Sequence, residues 1–390
     1  MDFELTEEQL AFRDLIRTFA RRSVAPVAQQ WEREGRYPAE IVDEMKAMGL
    51  FGMLVPTQYG GIELDAVSYS IVFEEISKVW MGVAGVLGTH SMAARILATD
   101  GTEAQRSRWL PGMASGELRS GLAMTEPGAG SDLQGINTTA RREGDVYVVN
   151  GAKTWITNAR HAAILPVLVK TDPQAKPAHR GISILMIETT TEGFEVGRDL
   201  PKLGYKGPES CEVNITDCRV PVENLVGGSE GSGLRQALSA LEFGRCNIAG
   251  RAVGVAQAAL DLALAYARER RAFGRPIAEF QAIQIKLADM AMQVQAARLL
   301  TWWAASKLDR GERADLETGM AKVYASEVAL QCSLESMRVH GGYGYSAEFE
   351  VERLYRDAPL MAIGEGTNEI LKTVIARKLT GLREPARPDA

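Results

Sequence analysis

The spacing of hydrophobic residues changes twice along this 390-residue chain, and these changes limit the folds that it can adopt. Up to about residue 120 the apolar residues recur at helical spacing, and segments 6–9 and 102–105, both Thr-Glu-x-Gln, match the capping box that begins a helix. From Ser120 to about residue 226, short β-rich runs replace this pattern, and after the glycine-rich segment 227–233 helical spacing returns. The sequence therefore predicts a helical, a β and a second helical region.

The predicted strands of the middle region are rich in valine and isoleucine, and turn residues separate them. They are Val146–Val149, Thr154–Thr157, Ile164–Val169, Ile182–Ile187 and Cys211–Ile215, with turns predicted at Asn150-Gly151 and Asp172-Pro173. Because no helical pattern lies between the runs, the crossover helices of a parallel sheet are missing. We therefore predict an antiparallel sheet or a small barrel.

A seam of apolar residues in alternating steps of four and three runs through the C-terminal region, on a helix predicted to extend to about Leu308. The seam residues are Ile283, Leu287, Met290, Val294 and Ala297. Long helices of this kind pack as a four-helix bundle. The predicted domains are 1–120, all-α; 121–228, antiparallel β; and 229–390, a four-helix bundle with a frayed tail from Arg383.

Composition and charge argue against several classes of partner. The 44 Lys and Arg residues against 50 Asp and Glu residues give a net charge of −6, so no basic surface for nucleic acid or anionic lipid is expected. No uninterrupted apolar run reaches the roughly 18 to 20 residues of a membrane span, and the N-terminus lacks signal-peptide features, which predicts a cytoplasmic protein. The four scattered cysteines predict reduced thiols, and the four histidines lack the spacing of metal ligands.

One segment matches a hydrolase motif by its letters. Residues 227–231, Gly-Gly-Ser-Glu-Gly, fit the G-x-S-x-G nucleophile elbow, whereas no G-x-G-x-x-G or G-x-x-x-x-G-K-[ST] segment for nucleotides occurs. An elbow requires a buried strand that ends at its first glycine, but residues 220–224 are polar and interrupted by proline. We interpret the segment as an exposed linker, and a serine hydrolase that uses Ser229 stays as an alternative.

Two segments of the middle region carry groups suited to a flat heteroaromatic ligand. The glycines of residues 124–132, Met-Thr-Glu-Pro-Gly-Ala-Gly-Ser-Asp, allow backbone amides to turn toward a polar ligand. The side-chain period of a strand places Trp155 and Thr157 on one face, where an indole and a hydroxyl can flank a ring. Either segment alone is equally compatible with a tight loop or core packing.

Three further segments lie in the C-terminal region. Arg270, Phe273 and Gln281 occur where one long helix must end and the next begins, and a guanidinium with an amide suits a pyrophosphate and its ribose. Residues 340–345, His-Gly-Gly-Tyr-Gly-Tyr, form a tight glycine turn that permits close backbone approach. Residues 364–367, Gly-Glu-Gly-Thr, place a carboxylate between two glycines immediately before a helical stretch.

In order and spacing, these segments resemble the acyl-CoA dehydrogenase family along essentially the whole chain. Ala123–Asp132 is similar to the first family signature, Trp155-Ile156-Thr157 to the flavin-facing strand, and Glu365-Gly366-Thr367 to the segment that carries the catalytic base. The resemblance implies an N-terminal helical domain, a middle β domain and a C-terminal four-helix bundle. It also implies FAD as cofactor and a homotetramer, a dimer of dimers in which the neighbouring subunit completes each FAD site.

The resemblance further implies the residues of the site, with Glu365 as the catalytic base. Those expected at FAD are Leu122, Met124, Thr125, Gly130, Ser131, Trp155, Ile156, Thr157, Arg270, Phe273, Gln281, Arg338, Gly341, Gly342, Thr367 and Glu369. Those expected at the substrate are Ser131, Glu242, Arg245, Gly366 and Arg377. A few family members take the base from the position matching Gly244, which cannot serve here.

The implied reaction is α,β-dehydrogenation of an acyl-CoA thioester to the trans-2-enoyl-CoA, with electrons passed to an electron-transfer flavoprotein. Arg338 and Gly364 depart from the family pattern, which usually has glutamine at the first position and frequently an aromatic residue at the second. A flavin oxidase, a reductase, a desulfinase and a non-enzymatic scaffold of the same fold stay as alternatives. The length and branching of the acyl chain also stay open.

Overall fold

The computed structural model describes residues 4–382, and in it the region before residue 120 is helical. The helices are α1 (Glu7–Phe19), α2 (Ala25–Glu34), α3 (Ala39–Ala47), α4 (Ala66–Ser77), α5 (Met81–Asp100) and α6 (Glu103–Ser115). Both predicted capping boxes are confirmed. At each, the threonine hydroxyl accepts a hydrogen bond from the backbone amide of the glutamine, and the side-chain oxygen of the glutamine accepts one from the backbone amide of the threonine. Two otherwise unpaired amides are thereby satisfied at each helix start.

The middle region forms a six-stranded sheet in the order β4-β3-β1-β2-β6-β5. The strands are β1 (Thr139–Glu143), β2 (Val146–Thr157), β3 (Ile164–Lys170), β4 (Ile182–Glu188), β5 (Phe194–Asp199) and β6 (Ser210–Pro221). Neighbouring strands are antiparallel, as predicted, except that β1 meets β3 through one parallel pair, Thr139 with Lys170. The sequence prediction missed β1 and β5, because their exposed positions carry charged residues in place of a valine-rich pattern.

The predicted turn at Asn150-Gly151 is wrong, because both residues lie inside the twelve-residue strand β2. A Cβ at Gly151 would overlap Thr138, and the register against β6 shifts between Val149 and Gly151. Glycine is therefore needed here for the close approach of another segment of backbone, and it marks a bulge within a strand.

The C-terminal region contains five helices and a short hairpin. The elements are α7 (Gly233–Glu269), β7 (Arg271–Ala272), β8 (Arg275–Pro276), α8 (Gln281–Asp309), α9 (Asp315–His340), α10 (Val351–Ile363) and α11 (Asn368–Thr380). The predicted seam is confirmed, since its five residues on α8 are all buried or half-buried. The 37-residue α7 is long and apolar enough to cross a membrane, but 72% of its most apolar window is buried within the protein. That burial is typical of a core helix.

Two compact units divide these elements. Among the described residues, unit 1 contains 4–21, Ala66–Met81 and 245–382, whereas unit 2 contains Arg22–Asp65 and Gly82–Gly244. The domain boundaries predicted at 120/121 and 228/229 stay predictions, and the predicted frayed tail lies outside the described residues. All four cysteines are free and buried, as predicted.

Candidate active site

The loop between α10 and α11 holds Glu365 in an unusual backbone conformation. Glu365 has a φ of 54° and Gly366 a φ of 92°, both in the left-handed region that residues with a side chain rarely adopt. Thr367 then caps the start of α11, its side chain accepting a hydrogen bond from the backbone amide of Ile370. A glutamate held in this region is strained by about 1–3 kcal/mol, and such strain is concentrated at functional sites.

The Glu365 carboxyl is buried and incompletely hydrogen-bonded within the described residues. Its Oε2 atom is buried and has no hydrogen-bond partner among residues 4–382. Burial raises the pKa of Glu365 above its ordinary value, and the positive charges of Arg251, Lys322 and Arg245 oppose this rise only in part. A carboxylate that burial leaves unsolvated takes up a proton more readily, which suits a general base.

Lys322 of α9 holds this loop from the protein interior. Its side chain is fully buried, and Nζ donates to the carbonyl oxygens of Ala362 at 3.3 Å and Gly366 at 2.7 Å and to Oδ1 of Asn368 at 2.9 Å. The sequence interpretation missed Lys322. A signal existed, because Lys322 lies at helical spacing from Ala325 and thus on the apolar face of α9.

The predicted substrate residues are divided between the two units. Arg245 is buried, contacts Asp315 through the backbone oxygen at 3.4 Å, and acts electrostatically on Glu365. Arg377 is half-buried on α11. Glu242 lies in unit 2, where it interacts electrostatically with Arg95. Within unit 1, Arg245 is therefore close enough to the base to act on its charge.

A cavity of about 600 Å³ in unit 1 collects three of the residues predicted to bind FAD. Arg270, Gly341 and Gly342 line it together with the rings of Tyr266 and Tyr343. No atom lies within 4 Å of a Cβ built at either glycine, so this backbone is open to a ligand. A guanidinium, bare backbone and aromatic rings are a donor set that fits the pyrophosphate and ring systems of a dinucleotide such as FAD.

The other predicted FAD residues of unit 1 do not line this cavity. Phe273, 95% exposed, lies in the turn of the β7–β8 hairpin, and Gln281 is the first residue of α8. Arg338 is largely exposed and forms an ion pair with Glu335. The exposure of Phe273 leaves its ring available to a second molecule, as the family resemblance implies for this residue.

In unit 2, the glycine-rich loop over residues 122–131 is organised by a buried ion pair. Glu126 accepts a hydrogen bond from Nζ of Lys153 at 2.8 Å and two more from the amides of Asn137 and Thr138. Burial raises the pKa of Glu126, but Lys153 and these donors hold it below its ordinary value. The glutamate of this motif is therefore an ionised structural residue.

The residues of the loop over 122–131 that are predicted to contact FAD differ in their exposure to solvent. Leu122, Met124 and Thr125 are half-buried, whereas Gly130 and Ser131 are exposed. The amide of Thr154 donates to the carbonyl oxygen of Thr125 at 2.9 Å, which joins the loop to β2. The loop thus presents exposed backbone next to a fixed strand.

The end of β2 departs from the regular alternation on which the sequence prediction relied. Trp155 has a φ of 62° and is 55% exposed, and the register against β6 shifts between Lys153 and Ile156. Thr157 is buried, with Oγ1 at 3.3 Å from Oγ of Ser210, and Ile156 is also buried. The period of two is interrupted at Trp155, so the argument that placed Trp155 and Thr157 on one face was wrong.

The hydrolase motif lacks the structure that its chemistry requires. Strand β6 ends at Pro221, and two 3-10 turns, Val222–Asn224 and Val226–Gly228, separate it from the exposed Ser229. No strand therefore leads directly into the motif. Over residues 4–382, no group of three or more His, Cys, Asp or Glu side chains is arranged to hold a metal ion.

Comparisons with known proteins match each part of the chain to one family. Family models described as the N-terminal, middle and C-terminal domains of acyl-CoA dehydrogenase match residues 6–117, 121–218 and 231–380. The probable acyl-CoA dehydrogenase YngJ of Bacillus subtilis is 42% identical over 97% of this chain and 100% of its own length. The caffeyl-CoA reductase-Etf complex subunit CarC of Acetobacterium woodii is 39% identical over 96% and 98%.

Solved structures agree. Butyryl-CoA dehydrogenase from Megasphaera elsdenii superposes with a TM-score of 0.94 at 37% identity, covering 97% of this chain and 100% of that one. A structure of PigA with FAD and proline superposes with a TM-score of 0.93 at 29% identity, covering 97% and 99%. The predicted fold, an N-terminal helical domain, a middle β domain and a C-terminal helical domain, is thereby confirmed. The chain belongs to the acyl-CoA dehydrogenase family, whose members are FAD-dependent oxidoreductases.

Proposed function

We propose that this chain dehydrogenates an acyl-CoA thioester to the trans-2-enoyl-CoA, with Glu365 as the base that removes the α proton. The observation that carries the proposal is the Glu365 carboxyl, whose Oε2 is buried without a hydrogen-bond partner in the described residues. An α proton of a thioester is weakly acidic, so a base with a raised pKa makes its transfer less unfavourable. The rise in the pKa of Glu365 with burial has this direction.

Other residues of the chain would bind FAD and polarise the thioester carbonyl. Residues 122–131 and Trp155, Ile156 and Thr157 would hold the flavin ring, and Arg270 with the Gly341-Gly342 turn would hold FAD phosphates of the neighbouring subunit. When bound, FAD accepts the hydride that leaves the β carbon. The proton from the α carbon passes to Glu365, and the backbone amide of Glu365 or Gly366 donates to the thioester carbonyl as negative charge develops there.

Arg245, Ser131 and Arg377 complete the proposed substrate contacts, and Thr367 and Glu369 those of FAD. An electron-transfer flavoprotein is the proposed acceptor, supported by the relative whose name places it in a complex with Etf. A homotetramer would complete each FAD site. Cytoplasmic localisation stays a prediction.

Substitution of the base tests the assignment. Glu365→Gln is expected to retain FAD, measured by its visible absorbance, and to lose turnover by orders of magnitude, measured with butyryl-CoA and longer acyl-CoAs and an acceptor dye. Glu312→Gln is the matched control, because Glu312 is a carboxylate that pairs with Lys307 and Arg310 far along the chain from the loop. Turnover near that of the wild type in Glu365→Gln would refute the role of Glu365.

Reduction of an enoyl-CoA is the second candidate function. Two observations favour it: one relative is named as a reductase subunit, and burial raises the pKa of Glu365, which also favours the protonated form needed to return a proton to the α carbon. Rates with a saturated substrate and oxidised dye, compared with an enoyl-CoA and reduced dye, distinguish the two directions. Consumption of dioxygen in place of dye reduction would indicate an oxidase.

A further inference from the structure

Lys322 connects three segments around the base, and within residues 4–382 its ammonium group donates to neutral oxygens and to no carboxylate. Its Nζ reaches the carbonyl of Ala362 in α10, the carbonyl of Gly366 in the loop, and Asn368 at the start of α11. The carbonyl of Ala362 lies before Glu365 in the chain, and the carbonyl of Gly366 lies after it. One buried ammonium group therefore fixes the backbone both before and after the base.

The neighbours of Asn368 extend this attachment to α9. Nδ2 of Asn368 donates to Oγ of Ser326 at 3.0 Å and to Oε1 of Glu327 at 2.8 Å. The left-handed conformation of Glu365 persists only if its surroundings hold it, since it costs free energy by itself. Lys322 and Asn368 supply that restraint.

The charge of Lys322 is the second part of the argument. All three hydrogen-bond acceptors of Lys322 are uncharged oxygens, so its ammonium charge acts on the carboxylates around it. The charged groups that act on Lys322 are Glu365, Glu369, Glu327 and the like-charged Arg245. Of those that act on Glu365, Arg251 and Arg245 come from α7 and Lys322 from α9.

We propose that Lys322 is a positioning residue for the base, holding the backbone on both sides of Glu365 and stabilising its ionised form through an unpaired positive charge. The inference rests on the proposed function of Glu365. Because Glu365 must be ionised to accept a proton, kcat/KM should rise with pH through the pKa of Glu365. Loss of a nearby positive charge raises the pKa of a carboxyl group.

Three variants of the FAD-loaded enzyme separate charge from restraint. Lys322→Met removes both and is expected to move the acid limb of the kcat/KM profile to higher pH by about one unit, with about tenfold lower activity below it. Lys322→Arg keeps the charge, so the acid limb of its kcat/KM profile should lie closer to that of the wild type than the limb of Lys322→Met does. Its kcat should stay low. Asn368→Ala weakens the restraint alone, so it should lower kcat without moving the limb.

Lys372→Met is the matched control, because Lys372 is an exposed lysine of α11 that lies 3.9 Å from Glu327. An acid limb of Lys322→Met that coincides with the wild type, at equal FAD absorbance per protein, would overturn the inference. If Lys322→Met does not fold, a shifted limb in Lys322→Arg, or in Asn368→Ala, would overturn it. Retained turnover in Glu365→Gln would instead refute the proposed function, so the two failures are distinguishable.

Discussion

Each unit of the molecule contains a glycine-rich loop in which a glutamate lies near a buried lysine, and the two pairs are built differently. In unit 2, Glu126 accepts a hydrogen bond directly from Lys153 and others from backbone amides. In unit 1, Lys322 donates to neutral oxygens, and Oε2 of Glu365 has no hydrogen-bond partner within residues 4–382. A lysine and a glutamate thus form a direct hydrogen bond in the unit 2 loop, whereas in the unit 1 loop they do not.

The difference shows how a protein assigns two roles to one side chain. The pKa of Glu126 lies below its ordinary value because Lys153 and its hydrogen-bond donors outweigh burial, whereas burial raises the pKa of Glu365. A carboxylate with a full set of donors is a poor proton acceptor and a good structural anchor. A buried carboxylate without them is reactive and costs stability.

Removal of one member of the satisfied pair is expected to have the largest effect. Glu126→Gln leaves the ammonium of Lys153, which is almost fully buried, without its charged partner. Breaking a buried ion pair in this way costs about 3–5 kcal/mol, so the free energy of unfolding in urea should fall by this amount. FAD affinity should also fall, because the loop over residues 122–131 loses its anchor.

The double variant Glu126→Leu/Lys153→Met is the control for that prediction. It removes both charges, so it should recover much of the stability lost in Glu126→Gln. A change of less than about 1 kcal/mol in Glu126→Gln, the range of exposed ion pairs, would show that the pair is not buried in solution.

The two buried lysines, Lys153 and Lys322, should make the free energy of unfolding depend on pH in the alkaline range. Burial lowers the pKa of Lys153 to about 8 and that of Lys322 to about 8, from 10.5 in the unfolded chain. Between these values the unfolded state binds more protons than the folded state, so the free energy of unfolding should rise with pH, by at most about 1.4 kcal/mol per pH unit for each lysine. Below pH 8 the lysines add no slope.

Denaturation between pH 7 and pH 10.5 measures this slope. Lys322→Met should lose the contribution of one lysine, and the exposed-lysine variant Lys372→Met should keep both. A stability that is flat with pH in the wild type over this window would show that both ammonium groups are solvated.

Glu365→Gln should change stability in the opposite direction from Glu126→Gln. The folded-state pKa of Glu365 lies above its unfolded value, so ionised Glu365 opposes folding. This cost is absent below the unfolded pKa and reaches about 1.4 kcal/mol for each unit of pKa shift once the pH exceeds the folded-state pKa. At neutral pH the variant should therefore unfold at higher urea concentration than the wild type, and a lower midpoint would contradict the comparison.

Local signals made much of the fold predictable. The capping boxes at Thr6 and Thr102 and the seam on α8 depend on residues within a few positions of one another, and all are confirmed. The failures at Gly151 and Trp155 have a different cause, since Gly151 accommodates Thr138 and Trp155 lies at a bulge between paired strands. Both depend on residues distant in the chain.

The site was predictable only in its outline. Glu365 lies between two glycines and Glu126 lies two residues before Gly128, and the sequence alone does not indicate which of the two carboxylates is buried without hydrogen-bond donors. The family resemblance assigned the base to Glu365, but it did not reach Lys322, Lys153 or Arg251, whose roles depend on packing between helices or strands. Electrostatic surroundings of this kind are set by tertiary structure, which spacing along the chain does not encode.

The glycines of the two loops offer the smallest and most direct comparison. Gly366 has a φ of 92°, so Gly366→Ala forces a side chain into a strained conformation and should cost roughly 1–2 kcal/mol, with slower turnover because Glu365 is its neighbour. A Cβ at Gly128 meets no atom within 4 Å, and its φ is not in the left-handed region, so Gly128→Ala should leave stability unchanged or raise it by about 0.4–1 kcal/mol. Urea denaturation and dye reduction on the same preparations measure both. Equal losses in the two variants would mean that the loop of the base is no more strained than the loop of the ion pair.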